Sequence, residues 1–236
     1  MKRMFLLLIC LLTTISITAQ SFIGAWEGFS ESKEGVKIRT VVSFADGYQA
    51  MTMFEAKTGK FISTNGGAWK LVGDTMTEKI EFDSSNPNRV GTEVSFKVFI
   101  SDSEMGIVGQ KMKFKRVDSG SPGKLQGAWL MSGRVRHGKE QMRDTSGPRK
   151  TMKVLSGTRF QWIAYNIAKK QFLGTGGGTY TTVNGKYTEN IEFFSRDDSK
   201  AGLSLAFDFN LDNETWNHKG FSSKGAAMHE IWSVRK

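Results

Sequence analysis

The chain has 236 residues, a formal net charge of +10, 39% hydrophobic and 24% charged residues, and a single cysteine. This composition excludes a collagen-like or strongly disordered chain, and one cysteine excludes a disulfide framework. Three prolines against 26 glycines suit many turns between short strands.

Residues 1–20 read as a secretory signal peptide. Lys2 and Arg3 form a basic start, Met4 to Leu12 an apolar run, and Ile17-Thr18-Ala19-Gln20 a small-residue cleavage region. The run is too short to span a bilayer, and no later stretch is long enough, so no transmembrane segment is expected. Cys10 sits inside the run, which continues through Leu11 and Leu12. It reads as apolar filler rather than a lipidated cysteine. The mature chain is then free of thiols, and a secreted or periplasmic location follows.

After the leader, strands are expected near 24–29, 37–44, 47–54, 67–72, 75–82, 92–101, 105–108 and 111–117. The signal is a period of two, as in Val94, Phe96, Val98 and Ile100. Turns fall at Asp46-Gly47 and Gly73-Asp74. A breaker-rich stretch, 119–123, then links to a second copy of the same pattern.

That copy is legible as a repeat. Gly24-Ala25-Trp26 recurs as Gly127-Ala128-Trp129, a spacing of 103. Beyond it the spacing is 111: Gly66-Gly67-Ala68-Trp69 matches Gly177-Gly178-Thr179-Tyr180, and Thr77 to Phe82 matches Thr188 to Phe193. The shift puts eight extra residues between Trp129 and about Arg149. Two domains are expected, 21–118 and 124–236. Each is an all-β, antiparallel up-and-down barrel of about eight strands that folds on its own.

Each copy opens on Gly-Ala-Trp and closes on a basic residue, in Lys113-Phe114-Lys115-Arg116 and Trp232-Ser233-Val234-Arg235. This resembles the lipocalin and fatty-acid-binding (calycin) pattern. The second copy also resembles lipocalin-like repeats of secreted bacterial proteins, through Gly177-Gly178-Thr179-Tyr180 and Tyr187-Thr188-Glu189-Asn190-Ile191-Glu192. The resemblance implies a plug at one end of each barrel, Trp26 under Arg116 and Trp129 under Arg235. Each copy is shorter than a typical lipocalin, which limits the size of a cavity.

Strand parity puts Glu78 in an apolar row with Met76, Ile80 and Phe82, and Glu189 in a row with Tyr187, Ile191 and Phe193. A carboxylate on such a face must be paired, hydrogen-bonded or protonated. It is either a polar anchor for a ligand or a structural group paired within the barrel, for instance with Arg116 or Arg235. Met51, Met53, Trp69 and Met105 in the first copy, and Trp162, Tyr180 and Trp216 in the second, line a cavity or fill a core. Met51 and Met105 stand where the second copy has Trp162 and Trp216, so the first barrel is expected to be roomier. Glu78 is its best anchor.

Residues 21–120 balance in charge, and 121–236 carry the whole excess of the mature chain. The insertion is basic, with Arg134, Arg136, Lys139, Arg143, Arg149, Lys150 and Lys153. It reads as a solvated loop or as a contact for an anionic glycan or lipid head group. Nucleic acid is not expected, for want of a recognisable module. His137, His218 and His229 have no metal-ligand spacing. With no nucleophile elbow, phosphate loop or nucleotide fingerprint, neither catalysis, a cofactor nor a metal is expected. Two functions stay open: a carrier for a small apolar or amphipathic molecule, and an interaction scaffold with filled barrels.

Overall fold

The computed structural model describes residues 21–121 and 123–236. The expected leader with Cys10, and Pro122 of the linker, lie outside the described residues. The first half forms a closed barrel of β1 (Gly24–Glu31), β2 (Lys37–Ala45), β3 (Tyr48–Glu55), β4 (Phe61–Val72), β5 (Thr75–Asp83), β6 (Glu93–Ile100), β7 (Glu104–Ile107) and β8 (Lys113–Asp118). Each strand pairs antiparallel with the next, and β1 closes on β8 with Trp26 opposite Arg116. The second half comprises β9 (Gly127–Arg136), β10 (Lys139–Met142), β11 (Arg149–Leu155), β12 (Arg159–Asn166), β13 (Gln171–Val183), β14 (Lys186–Phe194), β15 (Ser204–Asp212), β16 (Thr215–Phe221) and β17 (Ala227–Val234). β9 closes this barrel on β17, and the extra strand β10 folds back on the far end of β9. The fold class is therefore all-β, two eight-stranded antiparallel barrels in tandem. The eight inserted residues fall in the β9–β10 hairpin and the loop that leads from it to β11. Among the described residues, no helix is long and apolar enough to cross a membrane.

Local chemistry accounts for the turns and bends. Asn184 and Gly185 both adopt positive φ, 50° and 73°, as a tight hairpin between twisted strands requires. The register slips between Gly66 and Gly67, and between Gly177 and Gly178. A Cβ on Gly178 would lie 1.9 Å from the Asn190 carbonyl oxygen, so only glycine fits this bulge. The bulge corrects the expected parity. Met76 packs inside the first barrel, but Phe82 turns outward; Tyr187 and Ile191 pack inside the second, but Phe193 turns outward. β4 begins at Phe61, earlier than its alternation indicates, because Thr64 and Gly66 are buried although they face out of the barrel.

What they face is the other barrel. β2 alternates Val42 and Phe44 inward with Val41 and Ala45 outward, and both sets are buried. β11 likewise sends Leu155 inward and Met152 and Val154 outward. Ala45, Ala50 and Phe82 share one apolar cluster with Leu130, Met152, Val154, Ile163 and Tyr165. The seam joins equivalent faces of the two copies. Phe54 stacks on Phe193 at 5.0 Å, and the equivalent pair with roles exchanged, Tyr165 and Phe82, meets at 5.1 Å. The Gln161 side-chain amide donates to the two equivalent threonines, Thr64 (2.8 Å) and Thr175 (3.0 Å). This is the geometry of a self-complementary two-fold interface, here within one chain.

Charged groups close the edges of the seam. Arg39 pairs with Glu192 at 3.1 Å, and Arg235 with Glu81 at 2.7 Å. At the junction Asp118 accepts hydrogen bonds from Gly120, Ser156, Gly157 and Thr158, tying the linker to the β11–β12 turn. Burial opposes its charge, but these bonds prevail and hold its pKa below the usual range.

Candidate functional site

The interior of the first barrel holds a cavity of about 440 Å³. Alternate residues of successive strands supply its wall: Thr40 and Val42 from β2, Gln49, Met51 and Met53 from β3, Met76 and Glu78 from β5, Val94, Phe96 and Val98 from β6, Met105 from β7 and Phe114 from β8. Each strand contributes because its period of two aims one row inward. Of the residues expected to line a cavity here, Met51, Met53, Glu78 and Met105 do so. Trp69 packs beside it against Phe44, its indole N–H donating to the Ala45 carbonyl at 2.9 Å.

Three residues of this wall carry polar groups of note. The Thr40 hydroxyl and the Gln49 carbonyl oxygen are fully buried and have no hydrogen-bond partner among the described residues. The Glu78 carboxyl is pushed up to about 7, because burial disfavours its charge and the nearby Arg89 guanidinium offsets only part of that cost. Arg89 borders the cavity but is bound to Asp83 at 2.9 Å.

One end of the barrel is shut by Trp26, fully buried, whose indole N–H donates to the Phe22 carbonyl at 2.9 Å. The Arg116 guanidinium lies 3.9 Å above the ring and donates to the carbonyls of Asp102, Ile23 and Ser21. Trp129 repeats the indole bond, to Leu125 at 2.8 Å, but not the cation. Here the expected plug is corrected. Val234 stands opposite Trp129, where the first barrel has Arg116 opposite Trp26. Arg235 is one residue further on, and one residue along a strand reverses the face. It therefore points into the seam, to Glu81 and over the Tyr48 ring at 4.0 Å.

The cation in the second barrel comes from elsewhere. Lys153, assigned from sequence to the basic insertion, is 3% exposed and lies inside the barrel. Its ammonium pairs with Glu189 at 2.8 Å, and the Tyr187 hydroxyl donates to the same oxygen at 2.9 Å. The rings of Trp216, Trp232, Tyr187 and Phe160 surround it at 4.8, 5.0, 5.1 and 5.9 Å. Glu189 is thus the paired structural carboxylate, and Glu78 is not.

Tyr180 and Trp162 pack with this aromatic core, Tyr180 donating to the Ser156 carbonyl at 2.7 Å. His218 is buried against Phe207. Burial first, and then Lys153, lower its pKa, so it is neutral at pH 7.

The basic insertion is spread out. Arg134 bonds Gln141 across the β9–β10 hairpin, and Arg143 lies on Met131. Lys150 caps the carbonyls of Thr145 and Gly147. Arg136, Lys139 and Arg149 face solvent.

Sequence reasoning missed Thr40, Val42, Gln49 and Lys153. The 111-residue spacing aligns Val42 with Lys153 and Gln49 with Phe160, so the repeat contained the signal. No known protein family and no curated protein matches this chain.

Proposed function

We propose that the chain is an exported, lipocalin-like carrier. Its first barrel holds one small amphipathic molecule, and its second is a filled partner that steadies the first. The observation that carries this reading is the 440 Å³ cavity, apolar in its walls and bearing unpartnered buried polar atoms at Thr40 and Gln49. Ligand sites are typically cavities of about 300–1,000 Å³ with a few such groups. Arg116 over Trp26 after a Gly-x-Trp start supports the lipocalin likeness. No catalytic step is part of the proposal.

The test is binding of the neutral fluorophore N-phenyl-1-naphthylamine to the mature chain. One equivalent should bind, and Met105→Trp, which copies Trp216 into the cavity, should weaken it at least about tenfold. Equal binding by Met105→Trp overturns the proposal.

A second reading concerns the outer face of the second barrel. Arg136, His137, Lys219 and His229 line an open depression beside the basic hairpin. A sulfated polysaccharide should bind there, in a salt-dependent way, if this face meets an anionic glycan. Neutralising Arg136, Lys139 and Arg143 together should then abolish retention on heparin.

A further inference from the structure

We infer that the ligand of the first barrel is a small amphipathic amine whose ammonium group docks on Glu78, in the place that the Lys153 ammonium occupies against Glu189 in the second barrel. The inference rests on the first barrel being a binding site.

The two interiors can be overlaid residue by residue from the strand pairing. Val42 stands opposite Trp26 as Lys153 stands opposite Trp129. Glu78 and Glu189 hold equivalent places, opposite Trp69 and Tyr180. Met105 pairs with Phe114 as Trp216 pairs with Trp232. The four rings that box Lys153 thus correspond to Gln49, Met76, Met105 and Phe114. All four, with Val42 and Glu78, line the cavity. The cavity is therefore the volume that the second barrel fills with its own lysine and the aromatic box around it.

That correspondence fixes the chemistry of the missing occupant. A buried carboxylate needs a cation, a donor or a proton. The second barrel supplies the cation internally, and the first retains the carboxylate without it. An ammonium is donor-only, which matches the Glu78 carboxylate in the wall. Met76, Met105 and Phe114 offer a polarizable wall for the adjoining carbon chain.

A fatty carboxylate fits poorly. It would meet Glu78, and both guanidinium charges nearest to it already have partners. Arg89 is held by Asp83, and Arg116 by three backbone carbonyls over Trp26.

The groups around Glu78 are otherwise uncharged: Trp69 from β4, Val94 and Phe96 from β6, and Val42, Gln49 and Met51 from β2 and β3. Arg89, with its partner Asp83, is the charged pair at the cavity border. Binding of a cation should therefore draw the proton from Glu78 and strengthen as the pH rises from 6 to 8.

The experiment displaces N-phenyl-1-naphthylamine from the mature chain at pH 8 with n-octylammonium, 1-octanol or octanoate. Octylammonium should compete at least about tenfold better than octanol, and octanoate worst. Glu78→Gln should erase the preference for octylammonium over octanol, each measured against the variant's own affinity for the fluorophore. Val42→Lys, which restores the internal ammonium, should lose octylammonium binding altogether. Equal competition by all three compounds, or a preference that survives Glu78→Gln, overturns the amine assignment and leaves the cavity as a neutral-ligand site. Absence of fluorophore binding, or its indifference to Met105→Trp, overturns the binding-site reading and the amine with it.

Discussion

Glu78 and Glu189 sit at the same point of two copies of one barrel, and their surroundings have diverged. Around Glu189 the chain supplies a lysine, a tyrosine hydroxyl and a box of rings, so charge and volume are both satisfied. Around Glu78 the same positions carry Val42, Met76, Met105, Phe114 and Gln49, and a cavity remains. The difference teaches how a duplicated fold divides its labour. On the proposed function, closing one interior with an internal ion pair makes that copy a scaffold, and leaving the matching carboxylate unpaired keeps the other receptive.

The largest effect is expected from separating the copies. Residues 21–118 alone would expose Val41, Ala45, Ala50, Phe54 and Phe82, which the second barrel now covers. Because the seam joins equivalent faces, the isolated first barrel should form a homodimer through that face. Sedimentation velocity at micromolar concentration checks this. A stable folded monomer would restore the picture of two independent domains read from the repeat.

Next in size is the buried pair of the second barrel. Lys153→Met leaves Glu189 buried without its cation, and such losses cost about 3–5 kcal/mol. The melting temperature should fall by about 10 °C. Lys153→Met with Glu189→Gln should recover part of that loss, since no unpaired charge remains. If Lys153→Met alone is neutral, the two interiors differ less than their structures indicate.

Glu78→Gln should do the reverse and stabilise the unliganded protein. The folded state holds the Glu78 proton up to about 7, whereas the unfolded chain releases it near 4.5. The native protein therefore loses stability as the pH rises from about 4.5 to 7, and the Gln variant does not. The gain should be about 1 kcal/mol at pH 5 and about 3 kcal/mol at pH 8. Urea denaturation at the two pH values measures it.

The smallest effect concerns the plugs. Arg116→Gln removes a cation from the Trp26 face and should cost about 1 kcal/mol. Arg235→Gln should leave the emission of Trp129 unchanged, because its guanidinium serves Glu81 across the seam. Tryptophan fluorescence of the two variants distinguishes these roles.

The duplication, the strand class, the eight-residue insertion and the larger interior of the first copy were all legible in the sequence. Each rests on local regularity: a fixed spacing, a period of two, and the volumes of Met51 and Met105 against Trp162 and Trp216. The inward aim of Glu78 was legible for the same reason, since parity holds from Met76 to Glu78. It failed two residues beyond Ile80, at Phe82, because a bulge opposite the Gly66–Gly67 step adds Glu81 to β5 and reverses the face. Arg235 misled for a related reason: counting from the chain end cannot detect a one-residue offset in pairing with β9. Lys153 was hidden by composition, a basic residue in a basic stretch, until strand pairing set it opposite Trp129 and inside the barrel. The seam was invisible because outward residues such as Val41, Ala45, Met152 and Val154 read as core whether they meet their own interior or another barrel. Sequence thus determined the repeat and the strands, which depend on neighbours along the chain. Tertiary structure alone decided which carboxylate has a partner, because that depends on register and contact between residues far apart in sequence.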